Sequence, residues 1–327
     1  MKTVVYTKYG SPEVLTLKDT AIPVPKDDEV LINVHATTVL ASDCELRRFD
    51  FPLWFWLPLR LYMGIIKPTR VNVLGQEFAG EVTSVGKKVT RFAIGDQVFA
   101  QADLMYGAYA EYICLPDTSA MVTKPKNMSY EEAACVPTGG LNALHYVRKA
   151  KIQRGDKVLV IGASGNIGSF AVQLAKYYGA EVTGVESGDK LDMLRLLGVD
   201  KVIDYKKESF SNSGETYDVI IDVVCSALYA DILKSLNENG RYMLVNPRLL
   251  SMARGLWTSA TSRKKVMFEF SKYKSDDLIF LRKLIEEEKL KSVIDRSYPL
   301  EEIVEAHRYV ETGNRKGNIA ITLSGKQ

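Results

Sequence analysis

The chain is short of the residues that build metal and redox centres. Its 327 residues include four cysteines and three histidines. Cys44, Cys114, Cys135 and Cys225 lie far apart and none forms a CxxC pair, which excludes a cysteine zinc knuckle and a thioredoxin-type couple. So few cysteines predict a reducing compartment, and the cytoplasm is the expected location. Charge of one sign is also missing. Lys and Arg number 43 against 40 Asp and Glu, for a net charge of +3, so no nucleic-acid surface is expected. No apolar run is long enough to cross a bilayer, which takes about 20 residues. The greasiest segment, Phe51–Ile66, is interrupted by Pro52, Pro58 and Arg60. It reads as a buried helical insertion, with an apolar lid or a lipid-touching surface as the sharper alternatives. The opening, from Met1 to Lys8, lacks an apolar core of signal-peptide length and reads as a strand to about Tyr6.

What is present is ordinary globular composition, 46% apolar and 25% charged, in a length suited to about two domains. Up to about residue 125 short strands such as Glu29–Ala36 and Gly80–Val85 alternate with Pro, Gly and Asp punctuation. Ser129 then opens a helix to Cys135, with Glu131 and Glu132 in its first turn. From about residue 140 the rhythm becomes strand, helix, strand, helix. Strands are expected at Lys157–Ile161, Glu181–Val185, Val202–Ile203, Val219–Val224 and Arg241–Val245. Helices are expected at Ile167–Tyr178, Lys190–Leu197 and Ala227–Leu236. That alternation predicts βαβ units and a parallel sheet covered on both faces. The tail, Ser292–Leu323, returns to short strands around one helix, Glu301–Thr312.

The strongest motif is the turn Gly162-Ala-Ser164-Gly165-Asn166-Ile167-Gly168, set directly between a strand and a helix. Small residues there let backbone approach a pyrophosphate, and a helix N-terminus offers amides and the positive end of its dipole. The spacing is GxxGxxG rather than GxGxxG. The next strand ends in Glu186, placed to meet a ribose. A dinucleotide is therefore the expected cofactor.

Several further segments resemble the medium-chain dehydrogenase/reductase superfamily, on its quinone-oxidoreductase-like branch. They are Leu74-Gly-Gln-Glu-Phe-Ala-Gly-Glu-Val82, Val89-Thr-Arg-Phe-Ala-Ile-Gly-Asp-Gln-Val-Phe99, Gly107-Ala-Tyr-Ala-Glu-Tyr112, Pro137-Thr-Gly-Gly-Leu-Asn-Ala-Leu144 and Val202-Ile-Asp-Tyr205, together with the glycine turn. The resemblance implies an α/β chain in which a GroES-like β-rich catalytic domain (1–125 with 290–327) is interrupted by a Rossmann doubly wound parallel-sheet domain (126–289). It implies hydride transfer between NAD(P)H and a quinone, an enone or another carbonyl compound. It also implies a homodimer, with Lys265–Phe270 as an edge strand suited to pairing.

Against the family pattern, Gln76 stands where zinc-dependent members carry His, and Pro137-Thr138 stands near their third ligand. Cys44 lies close to their first ligand, but Asp43 follows the Ser-Asp pattern of the zinc-free branch. The structural-zinc cysteine lobe is absent from Gln101–Ile113. No metal is expected, because a catalytic zinc takes three ligands from Cys, His and carboxylate. The substrate oxygen must then be polarised by hydrogen bonds. Asp43 and Gln76 are the candidate catalytic groups, with a helix cap and a strand-end hydrogen bond as their plainer roles. Leu40 replaces an Asn common near the nicotinamide, and Cys225 replaces a usual glycine. The resemblance assigns cofactor contacts to Asn142, to Gly162, Ser164, Gly165, Asn166, Ile167 and Gly168 of the turn, and to Val224, Val245 and Asn246. For the choice of dinucleotide, Glu186 argues for NAD(H), whereas Ser187, Lys190 and Tyr205, followed by Lys206 and Lys207, argue for a 2′-phosphate. NADP(H) is favoured, with NAD(H) as the alternative. His35, His145 and His307 read as structural. Two other readings stay open: a catalytically weak nucleotide-binding sensor or scaffold, and a zinc-dependent alcohol dehydrogenase.

Overall fold

The computed structural model describes residues 1–51 and 53–323, and only the backbone at 53–55 and 104. It contains two compact units, 1–138 with 273–287 and 292–327, and 139–272 with 288–291.

The first unit is β-rich. β1 (Lys2–Tyr6) and β2 (Leu15–Asp19) form an antiparallel pair. β3 (Glu29–Thr38) is followed by α1 (Ala41–Arg48) and α2 (Leu53–Met63). Then come β4 (Glu77–Val85), β5 (Gln97–Gln101), β6 (Tyr112–Pro116), β7 (Ala120–Thr123) and α3 (Tyr130–Ala134). β3 is long enough to hold two partners on one side: β6 pairs with its first half, and a C-terminal strand with its last residues. β4 covers its other side. The alternation of Val30, Ile32 and Val34 puts these three side chains into one core with Phe78, Val82, Val98 and Leu115. α3 is started by a capping box, in which Ser129 Oγ accepts from Glu132 N (3.2 Å) and Glu132 Oε2 accepts from Ser129 N (2.8 Å).

The apolar segment after Phe51 forms α2; Pro52 lies outside the described residues. Its inner side, Trp56, Leu59 and Met63, packs on the core. Its outer side, Leu57 and Leu61, is exposed.

α4 (Pro137–Lys149) leads into the second unit. There β8 (Lys157–Ile161), α5 (Asn166–Tyr177), β9 (Glu181–Glu186), α6 (Leu191–Leu196) and β10 (Lys201–Asp204) are followed by β11 (Tyr217–Asp222), α7 (Tyr229–Ser235), β12 (Leu236–Leu244), α8 (Leu249–Thr261) and β13 (Lys265–Met267). The six strands run parallel in the order β10-β9-β8-β11-β12-β13. This is the doubly wound order of a Rossmann sheet, and its direction of winding reverses between β8 and β11. β8 and β11 are almost wholly buried, as strands covered on both faces must be. The expected edge strand is found, but it stops at Met267, short of Phe270.

The chain then returns to the first unit through α9 (Ser275–Glu286), β14 (Ile294–Pro299), α10 (Ile303–Glu311) and β15 (Asn318–Thr322). β15 is the strand that meets the end of β3. The compact units place 126–138 and 273–287 with the β-rich part, because α3 packs on β3 and β4 and α9 packs on β7. The division at 125 and 290 is the one the family resemblance implies.

Candidate active site and nucleotide-binding turn

In the second unit the glycine turn joins β8 to α5. Gly162 has φ 78°, in the region that favours glycine, and a Cβ there would meet Val224 Cγ2 at 2.4 Å. Val224 therefore sits directly over the turn. A Cβ on Gly168 would meet the Gly162 carbonyl oxygen at 2.1 Å, so Gly168 is what lets α5 lie close on β8. Gly165 is the N-cap of α5, and a Cβ there would touch only the Gly162 carbonyl oxygen, at 3.7 Å. No side chain caps α5. Its first turn thus presents backbone amides and the positive dipole end, the donors a pyrophosphate needs. Asn166 and Ile167 form that first turn. A Cβ on Gly139, in α4, would meet the Asn166 carbonyl at 2.6 Å. The buried Asn142 lies three residues further along the same helix.

The end of β9 carries the candidate for cofactor choice, Glu186. Glu186 is buried and turned inward. Its Oε2 accepts from Ser164 Oγ at 2.6 Å and Ser164 N at 3.3 Å, and its Oε1 accepts from Ser187 N at 3.1 Å. Lys190 Nζ lies 3.5 Å from Oε1, and Lys190 is itself buried. Ser187 Oγ donates to Asp189 Oδ1 at 2.8 Å. Tyr205 is 57% exposed, and its backbone N–H donates to the Glu186 carbonyl.

Beyond β11, Asp222 Oδ1 accepts from Cys225 N at 2.7 Å, and Oδ2 accepts from Tyr242 Oη at 3.1 Å. Asn246 Nδ2 donates to the Val223 carbonyl, and Val245 N to the Asp222 carbonyl. Asp222 thus ties the loop carrying Val224 to the end of β12. Sequence reasoning missed this latch, although an Asp closing an apolar strand was its visible sign. Cys225 has φ 54°, the left-handed conformation the expected glycine would adopt freely.

The first unit holds the other polar group. Asp43, in the first turn of α1, is fully buried. Its Oδ2 accepts from Leu40 N (3.0 Å), its Oδ1 from Gly75 N (3.3 Å), and Tyr109 and Gln76 also hydrogen-bond to it. Burial pushes its carboxyl up to about 6. In this conformation Asp43 is a clamp with its lone pairs committed. Gly75 has φ 91°, and a Cβ there would meet Tyr109 Cδ1 at 2.6 Å, so glycine alone lets this loop lie on Tyr109. Gln76 Nε2 donates to Ser42 Oγ at 2.6 Å, and Ala102 N donates to the Gln76 carbonyl. Next to it Glu77 is buried. It accepts from Thr38 Oγ1 at 2.6 Å and Thr138 N at 2.7 Å, and burial raises its carboxyl to about 7.

His35 stacks on Tyr130 at 4.3 Å between ring centres. His145 Nε2 lies 3.2 Å from Glu269 Oε1. His307 is buried between Cys44 and Tyr109. Among the described residues no three His, Cys, Asp or Glu side chains group as a metal site, and no helix is long and apolar enough to cross a membrane.

The β-rich half and the second half each match a known family. Residues 26–126 match the alcohol dehydrogenase GroES-like domain, and residues 197–321 match the zinc-binding dehydrogenase family. The 2-methylene-furan-3-one reductase of Solanum lycopersicum is 31% identical over 98% of this chain and 79% of its own length. The quinone oxidoreductase of Homo sapiens is 28% identical over 96% of this chain and 95% of its own. A solved quinone oxidoreductase from Coxiella burnetii superposes with a TM-score of 0.87 at 29% identity, covering 99% of both chains. The chain belongs to the medium-chain dehydrogenase/reductase superfamily, on its quinone-oxidoreductase-like branch, and is an NAD(P)H-dependent oxidoreductase by class.

Proposed function

We propose that the protein is a zinc-independent reductase that prefers NADPH and acts on a quinone, an enone or a related small carbonyl compound. The observation that carries this reading is the N-terminus of α5, without a side-chain cap, at a turn where Gly162 and Gly168 admit no side chain and Gly165 borders open space. The names of the relatives above support the substrate class. Bound nicotinamide supplies a hydride; everything else falls to the chain. The α5 amides would hold the pyrophosphate, and Gln76, whose amide is turned to Ser42 and Asp43, would meet a substrate oxygen by releasing one of those two bonds. The presence of Gln76 and Thr138 at the family's ligand positions, with an amide and a hydroxyl in place of imidazole and thiolate, supports polarisation by hydrogen bonds.

The preference for NADPH rests on Glu186. Its carboxylate is already engaged by Ser164, Ser187 and Lys190, so less of its acceptor capacity is left for ribose hydroxyls. Lys190 offsets its charge, and Tyr205 and Ser187 adjoin it. A 2′-phosphate there would meet Lys190, Lys206 and Lys207 against Glu186, Asp189 and Asp204, a balanced field rather than a bare carboxylate. A cytoplasmic location is supported by the four free thiols, and a homodimer by β13 at the sheet edge.

The test compares kcat/KM for NADPH and NADH over a panel of quinones, enones and aldehydes, in wild type, Lys190→Ala and Glu186→Ala, before and after chelation. The reading expects NADPH preference, its loss in Lys190→Ala, and no effect of chelation. A preference for NADH that Glu186→Ala erases would reverse the assignment. Stoichiometric zinc needed for turnover would end the metal-free part. Cofactor binding without turnover on the whole panel would favour a sensor.

A further inference from the structure

The first unit buries a line of four polar side chains. Cys44 Sγ lies 3.3 Å from His307 Nδ1, His307 Nε2 lies 3.2 Å from Tyr109 Oη, and Tyr109 hydrogen-bonds to the Asp43 carboxylate. None of the four exceeds 2% exposure. The proton positions follow from the last acceptor. An ionised carboxylate only accepts, so Tyr109 must donate to Asp43. Its oxygen then accepts from His307 Nε2–H. A neutral imidazole carries one N–H, so Nδ1 accepts and the Cys44 thiol donates. His307 is held neutral, its pKa driven down to about 3 by burial first and the Arg47 charge second. Each donor is thereby itself an acceptor, and such chains strengthen one another.

We propose that His307 is a positioning residue for the Gln76 loop, acting through Tyr109 and Asp43. The carboxylate holds Leu40 N at the start of α1 and Gly75 N one residue before Gln76. Gln76 in turn grips Ser42, the neighbour of Asp43. The His307 N–H makes the Tyr109 hydroxyl a better donor, and the better donor keeps Asp43 ionised and the loop seated. The inference rests on the reading that Gln76 meets the substrate.

Several charged or titratable groups act on Asp43 or on the line that feeds it. Arg47 on α1 is ion-paired to Glu311 on α10. Glu77 stands beyond the Gln76 loop, and Tyr6 and Tyr106 are phenols that burial keeps protonated. Glu77 also titrates in the relevant range, so Asp43 must be read directly.

The experiment follows the 13Cγ resonance of Asp43, assigned by its disappearance in Asp43→Asn, from pH 5 to 8. It runs beside pH profiles of kcat and KM with NADPH and a quinone. Variants are Tyr109→Phe, which keeps the ring and removes one oxygen, His307→Phe and His307→Gln. Losing one hydrogen bond to a charged group should raise the Asp43 midpoint above 6. It should also lower kcat about tenfold at pH 7 while leaving KM for NADPH unchanged. Gln, whose side-chain N–H can reach Tyr109, should restore most of both. A role in packing alone would lower the melting temperature and leave the midpoint in place. An unmoved midpoint in folded Tyr109→Phe or His307→Phe overturns the proposal. Should His307→Phe not fold, Tyr109→Phe decides. Wild-type protein inactive on every acceptor would sink the functional reading, and the Asp43 midpoint would still decide this one.

Discussion

Single residues set what the nucleotide turn can accept. Of its three glycines, Gly162 and Gly168 are forced by close contact, while Gly165 borders open space. Gly165→Val should therefore fold, since nothing but the Gly162 carbonyl lies within 4 Å of the new Cβ. Its branched side chain would stand where the pyrophosphate approaches, so the NADPH dissociation constant should rise at least about tenfold, roughly the worth of one charged hydrogen bond. Fluorescence titration of NADPH checks this, with circular dichroism as the control for folding. Unchanged affinity in a folded variant would move the phosphate site elsewhere. Cys225 is the opposite case, a side chain where the backbone favours none. The left-handed conformation costs a non-glycine residue about 1–2 kcal/mol, and glycine loses roughly 0.5–1 kcal/mol of chain entropy in exchange. Cys225→Gly should thus be neutral to stabilising by up to about 1 kcal/mol, read from the denaturant midpoint. A clear loss would mean that the thiol contact with the Asp222 carbonyl, at 3.5 Å, matters more than the backbone.

Elements differ in how plainly the sequence announces them. α3 was legible because Ser129 and Glu132 write both halves of a capping box. β8 was legible because four apolar residues in a row need a sheet covered on both faces. α8 and α9 went unread. α8 has Leu249, Ala253, Leu256 and Trp257 at helical spacing, but that apolar face is exposed at Leu250, Leu256 and Trp257. α9 has Leu278, Leu281, Leu284 and Ile285 at proper helical spacing, a signal that was there to be used. β12 begins at once after α7 and carries Asn237-Glu-Asn-Gly240, a turn-like string that falls in the register break between Leu236 and Arg241, where it has no partner in β11. α2 is apolar on both sides, and one cation secures it. The Arg60 guanidinium carbon lies 3.9 Å from the ring centres of Tyr9 and Phe49 and 5.0 Å from that of Trp56, and Nη1 donates to the Ile65 carbonyl. Partly desolvated cation–π contacts are worth about 1–2 kcal/mol. Arg60→Ala should lower stability by that amount and speed proteolysis within 53–66. Unchanged cleavage would mean that the core contacts of Trp56, Leu59 and Met63 suffice.

At the scale of the whole chain, the two-part architecture and the glycine turn between β8 and α5 could be read from rhythm and glycine spacing. The buried acid–base chemistry could not. Nothing in the sequence around Asp43, Glu77 or His307 states that burial will displace all three, because burial is a property of the assembled core. That displacement gives folding a particular pH dependence. Asp43 and Glu77 have folded values raised to about 6 and 7, above their ordinary 3.8 and 4.5. Between those limits the folded state binds more protons than the unfolded state, so their contribution to stability falls as pH rises. His307 runs the other way. Its folded value drops from 6.5 to about 3, so the unfolded chain binds the extra proton, and stability is lost as pH falls below 6.5. The two carboxyls and the imidazole therefore oppose one another between about pH 4.5 and 6.5, and only Glu77 acts strongly above that window. Unfolding free energy from urea titrations should rise as pH falls from 7.5 to 5, because two carboxyls outweigh one imidazole throughout that range. In Glu77→Gln the rise should vanish, because Asp43 and His307 nearly cancel, and in His307→Gln the rise below pH 6.5 should steepen. A wild-type stability that falls steadily from pH 7.5 to 5, with neither variant changing the slope, would mean that these groups titrate in the folded protein as they do in water.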